Sequence, residues 1–260
     1  MKEVEKHPHG TFCWPELGTT NPDAAKSFYG SLFGWRAQDV AMPGMVYTIL
    51  QLEGRDVAGL YGFTPKQTGQ GIPPSWLCNV AVDNCDEIAK KVQELGGKVM
   101  MEPMDFPEAG RGAVVQDPQG AVFGLWQPGK HIGARIVTEP GTLIWVELAT
   151  TDEKAATEFY TKLFPWKPEV MPMDKMNYTI LKTEAMPGAG MYQIREEMKG
   201  WPPSWLVYFA VTDCDQTVET AKAKGANVIV PPTDIPNVGR FSIMSDPQGA
   251  TFAVIKSKPM

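Results

Sequence analysis

The stretch Trp14-Pro-Glu16-Leu-Gly-Thr-Thr-Asn-Pro-Asp-Ala-Ala-Lys-Ser-Phe28-Tyr29-Gly-Ser-Leu-Phe33-Gly-Trp35 decides the fold, because the chain writes it twice. It returns 131 residues later as Trp145-Val-Glu147-Leu-Ala-Thr-Thr-Asp-Glu-Lys-Ala-Ala-Thr-Glu-Phe159-Tyr160-Thr-Lys-Leu-Phe164-Pro-Trp166. Tyr47-Thr-Ile-Leu50 and Gly59-Leu-Tyr61 keep that offset, recurring as Tyr178-Thr-Ile-Leu181 and Gly190-Met-Tyr192. Beyond them the offset falls to 129: Pro73-Pro-Ser-Trp76-Leu recurs as Pro202-Pro-Ser-Trp205-Leu, and Asp117-Pro-Gln-Gly120 as Asp246-Pro-Gln-Gly249. The second copy has therefore lost two residues between Tyr192 and Pro202, a change that a surface loop absorbs. The repeat is far longer than the roughly 20–50 residues of a solenoid unit. It implies two homologous domains, 8–128 and 141–257, with a linker at 129–140 bracketed by Pro/Gly pairs.

Working outward from the quoted stretch, Thr11–Thr19 reads as a strand. Asn21 is a helix N-cap with Pro22 at the first helical position. Ala24, Ala25, Phe28, Leu32 and Phe33 then follow helical spacing until Gly34 stops the helix. Three short strands follow, Trp35–Val40, Val46–Leu52 and Asp56–Gly62. The order then restarts with a strand over Trp76–Val82 and an amphipathic helix from Asp86 to Leu95, closed by Gly96-Gly97. Strands Lys98–Met101, Gly112–Asp117 and Val122–Trp126 complete the domain. Each domain is βαβββ twice, an α+β pattern rather than a regular βα alternation.

Composition narrows the function. The 24 Lys and Arg against 30 Asp and Glu give a net charge of −6, so the positive footprint that nucleic acid or an anionic membrane demands is missing. The charged N-terminus has no apolar stretch behind it, and no run of 18 apolar residues occurs, which predicts neither a signal peptide nor a membrane helix. Cys13, Cys78, Cys85 and Cys214 are too few for a disulfide framework. A soluble, reduced, cytoplasmic protein is expected, as a monomer or a homodimer. With only His7, His9 and His131, no Ser–His–Asp or Cys–His set can be assembled. No glycine-rich phosphate loop stands between a strand and a helix.

Three features, in the same order in both halves, resemble the vicinal oxygen chelate superfamily of glyoxalases, bleomycin-resistance proteins, fosfomycin-resistance enzymes and extradiol dioxygenases. They are Ala-x-x-Phe-Tyr-x-x-Leu-Phe-Gly-Trp in the first helix, Val82-Asp-Asn-Cys-Asp86 opening the second, and Asp117-Pro-Gln-Gly120 before the last strand. The Trp-x-Glu-Leu-x-Thr-Thr and Pro-Pro-Ser-Trp segments further resemble a tandem subgroup that includes a mycobacterial glyoxalase-like antigen. The resemblance implies that each pair of βαβββ units wraps into a curved half-barrel holding a ligand cup. It also implies a divalent metal held by His, Gln or Glu at three strand positions per domain. Those positions fall here on Trp14, Leu77 and Gly124, and on Trp145, Leu206 and Ala253, none of which suits such a cation. No metal and no other cofactor is therefore expected, a divalent metal being the alternative.

Alternation along the first strand puts Glu16 on the cup face with Trp14, and Glu147 with Trp145. Each glutamate is either a paired structural ion or a binding or general-base carboxylate with a raised pKa. Trp126, Asn79 and its equivalent Tyr208 join the same face, while Trp76 and Trp205 are expected beside the rim. The facing of Tyr47 and Tyr178 stays open. Arg111 and Arg240 are equivalent, and are expected to pair with nearby acids rather than clamp an anion. Cys85 and Cys214 sit at helix starts, and the expectation is packing rather than reactivity. Methionines of Met100-Met101-Glu-Pro-Met104 and of 171–176 are expected on loops, as gap-fillers or at a cup mouth. The expected ligand-binding set is Trp14, Glu16, Asn79, Trp126, Trp145, Glu147 and Tyr208, with Glu16 and Glu147 the catalytic candidates. The expected function is binding of a small organic molecule without the metal. The alternative is a lyase, isomerase, dioxygenase or hydroxylase acting on a small carbonyl or aromatic substrate.

Overall fold

In a computed structural model of the chain, the described residues are 3–42, 44–173, 176–183, 185, 188–198 and 200–258, with only the backbone of Met173 and Met176 described. Part of the methionine segment 171–176 thus lies outside the described residues. The first half runs β1 (Phe12–Thr19), α1 (Pro22–Phe33), β2 (Arg36–Met42), β3 (Met45–Leu52), β4 (Arg55–Gly62), the short α2 (Pro65–Gly69), β5 (Ser75–Ala81), α3 (Cys85–Glu94), β6 (Lys98–Phe106), β7 (Gly110–Gln116) and β8 (Val122–Pro128). The second half repeats it as β9 (Leu143–Thr150), α4 (Glu153–Leu163), β10 (Lys167–Met173), β11 (Met176–Lys182), β12 (Gly188–Gln193), β13 (Ser204–Ala210), α5 (Cys214–Ala223), β14 (Asn227–Ile235), β15 (Gly239–Ser245) and β16 (Thr251–Ser257).

Helix α1 starts as its sequence dictates: Asn21 Oδ1 accepts the Ala24 N–H, Pro22 has no N–H and so needs no acceptor, and Gly34 ends the helix in the left-handed region at φ 72°. Each half closes into an eight-stranded mixed sheet, in the orders β2-β3-β4-β1-β5-β8-β7-β6 and β10-β11-β12-β9-β13-β16-β15-β14. The two βαβββ units of a half meet along the antiparallel pair β1–β5, or β9–β13. The curled half-barrels of an α+β fold result. The two-residue loss falls where the first half carries α2 and the second a single 3₁₀ turn, Glu196–Met198.

β6 runs to Phe106, past the expected stop at Met101, so Met104 is strand-borne and not on a loop. Pro103 is tolerated because β6 is an edge strand, where a missing N–H breaks no ladder bond, and the strand is bulged around it.

The helix-bearing faces of the two sheets pack on each other around one continuous core containing Leu17, Tyr29, Phe123, Tyr160, Phe209 and Phe252. Helix α1 lies against α5, and α3 against α4. The seam is built twice. Tyr29 donates to Asp246 Oδ2 at 3.0 Å and accepts from Trp76 Nε1 at 3.0 Å. Tyr160 donates to Asp117 Oδ2 at 2.9 Å and accepts from Trp205 Nε1 at 3.0 Å. Trp35 donates to the Gly141 carbonyl and Trp166 to that of Gly10. The Asp-Pro-Gln-Gly turns thus tie the two halves together. Asp117 Oδ1 also takes the N–H groups of Gln119, Gly120 and Ala121, so a buried carboxylate is paid for by a full set of donors. Trp76 and Trp205, expected at the cup rim, are instead buried in this seam. Strand β5 is covered on both faces, so alternation alone could not assign its tryptophan.

Candidate functional site

Strand β1 turns Leu17 to the helix-side core and Trp14 to the opposite, concave face. Across the sheet, Trp14 lies opposite Asn79, Glu16 opposite Leu77 and Gly59, and Asn79 opposite Gly124. Tyr47 also faces the cup: Trp14 Nε1 donates to its hydroxyl at 2.9 Å, and that hydroxyl donates to Glu16 Oε1 at 2.6 Å. This Trp–Tyr–Glu relay needs a glycine beneath it, since a Cβ on Gly59 would stand 2.0 Å from the Tyr47 hydroxyl and 2.8 Å from the indole nitrogen. The second cup repeats the relay. Trp145 donates to Tyr178 at 2.8 Å, Tyr178 to Glu147 Oε2 at 2.9 Å, and a Cβ on Gly190 would stand 2.3 Å from the Tyr178 hydroxyl.

The cups then diverge. In the second, Tyr208 also donates to Glu147, at Oε1 and 2.9 Å, beside Phe241 and Ile255. In the first, Asn79 donates to the Trp14 carbonyl at 3.1 Å, and its Oδ1 occupies the place a Cβ on Gly124 would need. Trp126 leans over Gly112 and Phe106.

Both glutamates are half-buried. Burial pushes their carboxyl pKa up, with the tyrosine donors pulling the other way. Tyr47, Tyr178 and Tyr208 are held well above the ordinary phenol range, first by burial and then by the neighbouring glutamate charge. The tyrosines are therefore neutral donors at any physiological pH.

His131, which falls in the stretch 129–140 expected to be a linker, reaches the first cup. Its ring stands edge-on to Trp14 with centroids 4.5 Å apart, and 5.8 Å from that of Trp126. Trp126 Nε1 donates to the His131 carbonyl at 2.9 Å. The segment is held against the first half by backbone bonds: Ala134 N–H donates to Cys13 O and Arg135 N–H to Asp56 O, both at 2.8 Å. Burial holds the His131 pKa below the usual imidazole value, against the pull of Asp56. Its Nε2 is buried without a hydrogen-bond partner. The available signal was the apolar content of this stretch, Ile132, Ala134, Ile136 and Val137, which is high for a solvated linker.

The remaining candidates lie elsewhere. Arg111 forks onto Asp86 at 2.7 and 2.9 Å and reaches Asp105, while Arg240 does the same with Asp215 and Asp234. Cys85 and Cys214 are buried, and burial pushes both thiols up to about 11, the reverse of a reactive cysteine. A surface groove of about 500 Å³ lies outside the cups, by the N-terminus of α1, and its Lys26 is engaged by Asp23 and Asp39.

The metal implied by the resemblance can be tested against the donor set. Trp14, Leu77, Gly124, Trp145, Leu206 and Ala253 offer no carboxylate or imidazole, and Asn79 already fills the space over Gly124. Among the described residues no three His, Cys, Asp or Glu side chains gather in a group able to hold an ion. These residues do not fit a chelated divalent cation.

Comparison with known proteins follows the duplication. The sequence profile of the Glyoxalase/Bleomycin resistance protein/Dioxygenase superfamily matches residues 11–125 and again 142–254. A Mycobacterium tuberculosis protein, provisionally named glyoxylase CFP32, is 43% identical over 262 residues, covering 100% of this chain and 99% of its own. The anthracycline biosynthesis protein DnrV of Streptomyces peucetius is 35% identical, over 95% of this chain and 93% of its own. Among solved structures, the Mn(II)-bound glyoxalase from Novosphingobium aromaticivorans superposes with a TM-score of 0.66 at 18% identity, over 95% of this chain and 82% of its own. At that identity the likeness concerns the fold.

Proposed function

The chain belongs to the glyoxalase/bleomycin resistance protein/dioxygenase superfamily, and from that premise we propose that it binds a small organic molecule in a cup without the family's metal. One observation carries the reading: where the metal ligands would stand, the concave face presents indole rings and a half-buried glutamate held by a tyrosine. Aromatic walls around a few fixed polar groups suit a planar ligand with a hydrogen-bonding substituent. The anthracycline biosynthesis named for a full-length relative supports a fused-ring aromatic as the ligand class.

Thermal-shift titration with planar aromatics, with and without chelator, tests this. A melting temperature that climbs with ligand concentration and ignores chelator is expected. Stoichiometric metal in the purified protein, with binding lost on chelation, would refute it.

A second reading, catalysis on a small carbonyl or aromatic substrate, is favoured by the raised pKa of the glutamates. A carboxylate made more basic by burial is a better general base near neutral pH. The glyoxylase name of the mycobacterial relative supports this reading. Turnover of small aldehydes or hydroxyaromatics that disappears in both Glu16→Gln and Glu147→Gln would establish it.

A further inference from the structure

The two cups are copies of one design, and the place where one copy departs from the other shows what the first is missing. In the second cup both oxygens of Glu147 receive a phenolic hydroxyl, Oε2 from Tyr178 and Oε1 from Tyr208. In the first cup Tyr47 reproduces the Tyr178 bond, on Oε1 of Glu16. The counterpart of Tyr208 is Asn79, whose amide is turned along the sheet to the Trp14 carbonyl. Among the described residues no donor other than Tyr47 reaches Glu16. Phe241, whose ring lies 6.4 Å from that of Tyr208, is matched by Gly112 in the first half, but there Trp126, the counterpart of Ile255, leans over the glycine in its place. The ring that the first cup lacks without replacement is that of Tyr208, and it carries the hydroxyl that completes the glutamate's shell.

We propose that the first cup is the ligand site and that its ligand is a phenol, a hydroxyaromatic whose O–H donates to Glu16 Oε2 as Tyr208 does to Glu147. The proposal rests on the reading of the cups as small-molecule sites. Glu16 Oε2 has no protein donor among the described residues, and hydrogen bonds to charged acceptors are about twice as strong as neutral ones. A site built around such an acceptor discriminates against an analogue that cannot donate, because the acceptor is then desolvated and unpaired. Trp126, half-buried on the same face and with its N–H held by the His131 carbonyl, offers a ring for the ligand to pack against. The second cup, with its rings in place, already holds an internal phenol.

The test is calorimetric titration with 2-naphthol and 2-methoxynaphthalene, which share a shape and differ in the donor. Wild-type protein is expected to take up one equivalent of 2-naphthol and to bind the ether at least about tenfold more weakly, the cost of one charged hydrogen bond. Asn79→Tyr is expected to abolish uptake while raising the melting temperature, since it supplies Glu16 with its second donor. That rise also shows that the variant folds. Equal affinity for phenol and ether, undiminished binding in Asn79→Tyr, or loss of binding in a folded Tyr208→Asn variant overturns this proposal and leaves the small-molecule reading standing. Absence of any 2-naphthol uptake by the wild type overturns the proposal by another route. It then counts against the small-molecule reading itself if the wider aromatic panel is also silent.

Discussion

The seam between the halves and the concave faces behind it have fared differently in the duplication. At the seam every bond has its twin: Tyr29 with Asp246 and Trp76, Tyr160 with Asp117 and Trp205, Trp35 with Gly141, Trp166 with Gly10. On the concave faces the relay persists, Trp14–Tyr47–Glu16 and Trp145–Tyr178–Glu147. Around it, however, Asn79 stands for Tyr208, Gly112 for Phe241 and Trp126 for Ile255, and only the first cup is flanked by the returning segment with His131. A pseudo-symmetric interface constrains both copies, because each half supplies the donor that the other half's buried carboxylate requires. A cup constrains only itself, so the two copies are free to diverge.

The largest effects should come from breaking the seam. Tyr29→Phe and Tyr160→Phe each orphan a buried aspartate oxygen and a tryptophan N–H, at a cost of about 3 kcal/mol by the usual value of a hydrogen bond to a charged group. Denaturant unfolding should show the two losses equal, and a twofold inequality would break the symmetry argued for the seam. Next are Gly59→Ala and Gly190→Ala, where the new methyl would overlap the tyrosine hydroxyl at 2.0 and 2.3 Å. Displacing the relay should cost about 1–3 kcal/mol, measured in the same way. Unchanged stability in either variant, measured without ligand, would contradict the need for a glycine beneath each relay.

A smaller effect concerns pH. The folded pKa values of Glu16 and Glu147 lie above the ordinary 4.5. Their contribution to stability is therefore fully present below the unfolded pKa and is lost as pH rises through the folded one. The melting temperature of the wild type, minus that of the Glu16→Gln/Glu147→Gln double variant, should grow as pH falls from 8 toward 4. A difference that shrinks over that range would mean that the tyrosine donors outweigh burial.

The order of elements was legible because the duplicated motifs fix register and because α1 carries its own start and stop, Asn21-Pro22 and Gly34. The concave placement of Trp14 and Trp145 followed from period-two alternation. Three features were not legible, each for a physical reason. Tyr47 sits in Val46-Tyr-Thr-Ile-Leu50, apolar on both faces, so alternation could not say which way it turns. Trp76 is buried by the other half of the molecule, which no local pattern encodes. His131 reaches the first cup only because a segment far along the chain pairs with Cys13 and Asp56.

The most direct measurement follows the two glutamate side-chain carboxyl resonances by carbon-13 NMR during titration with 2-naphthol. With Glu16 lacking its second donor and Glu147 already holding two, the Glu16 signal should move in proportion to occupancy while that of Glu147 stays in place. Movement of Glu147, or equal movement of both, would contradict the division of the two cups into one open and one filled.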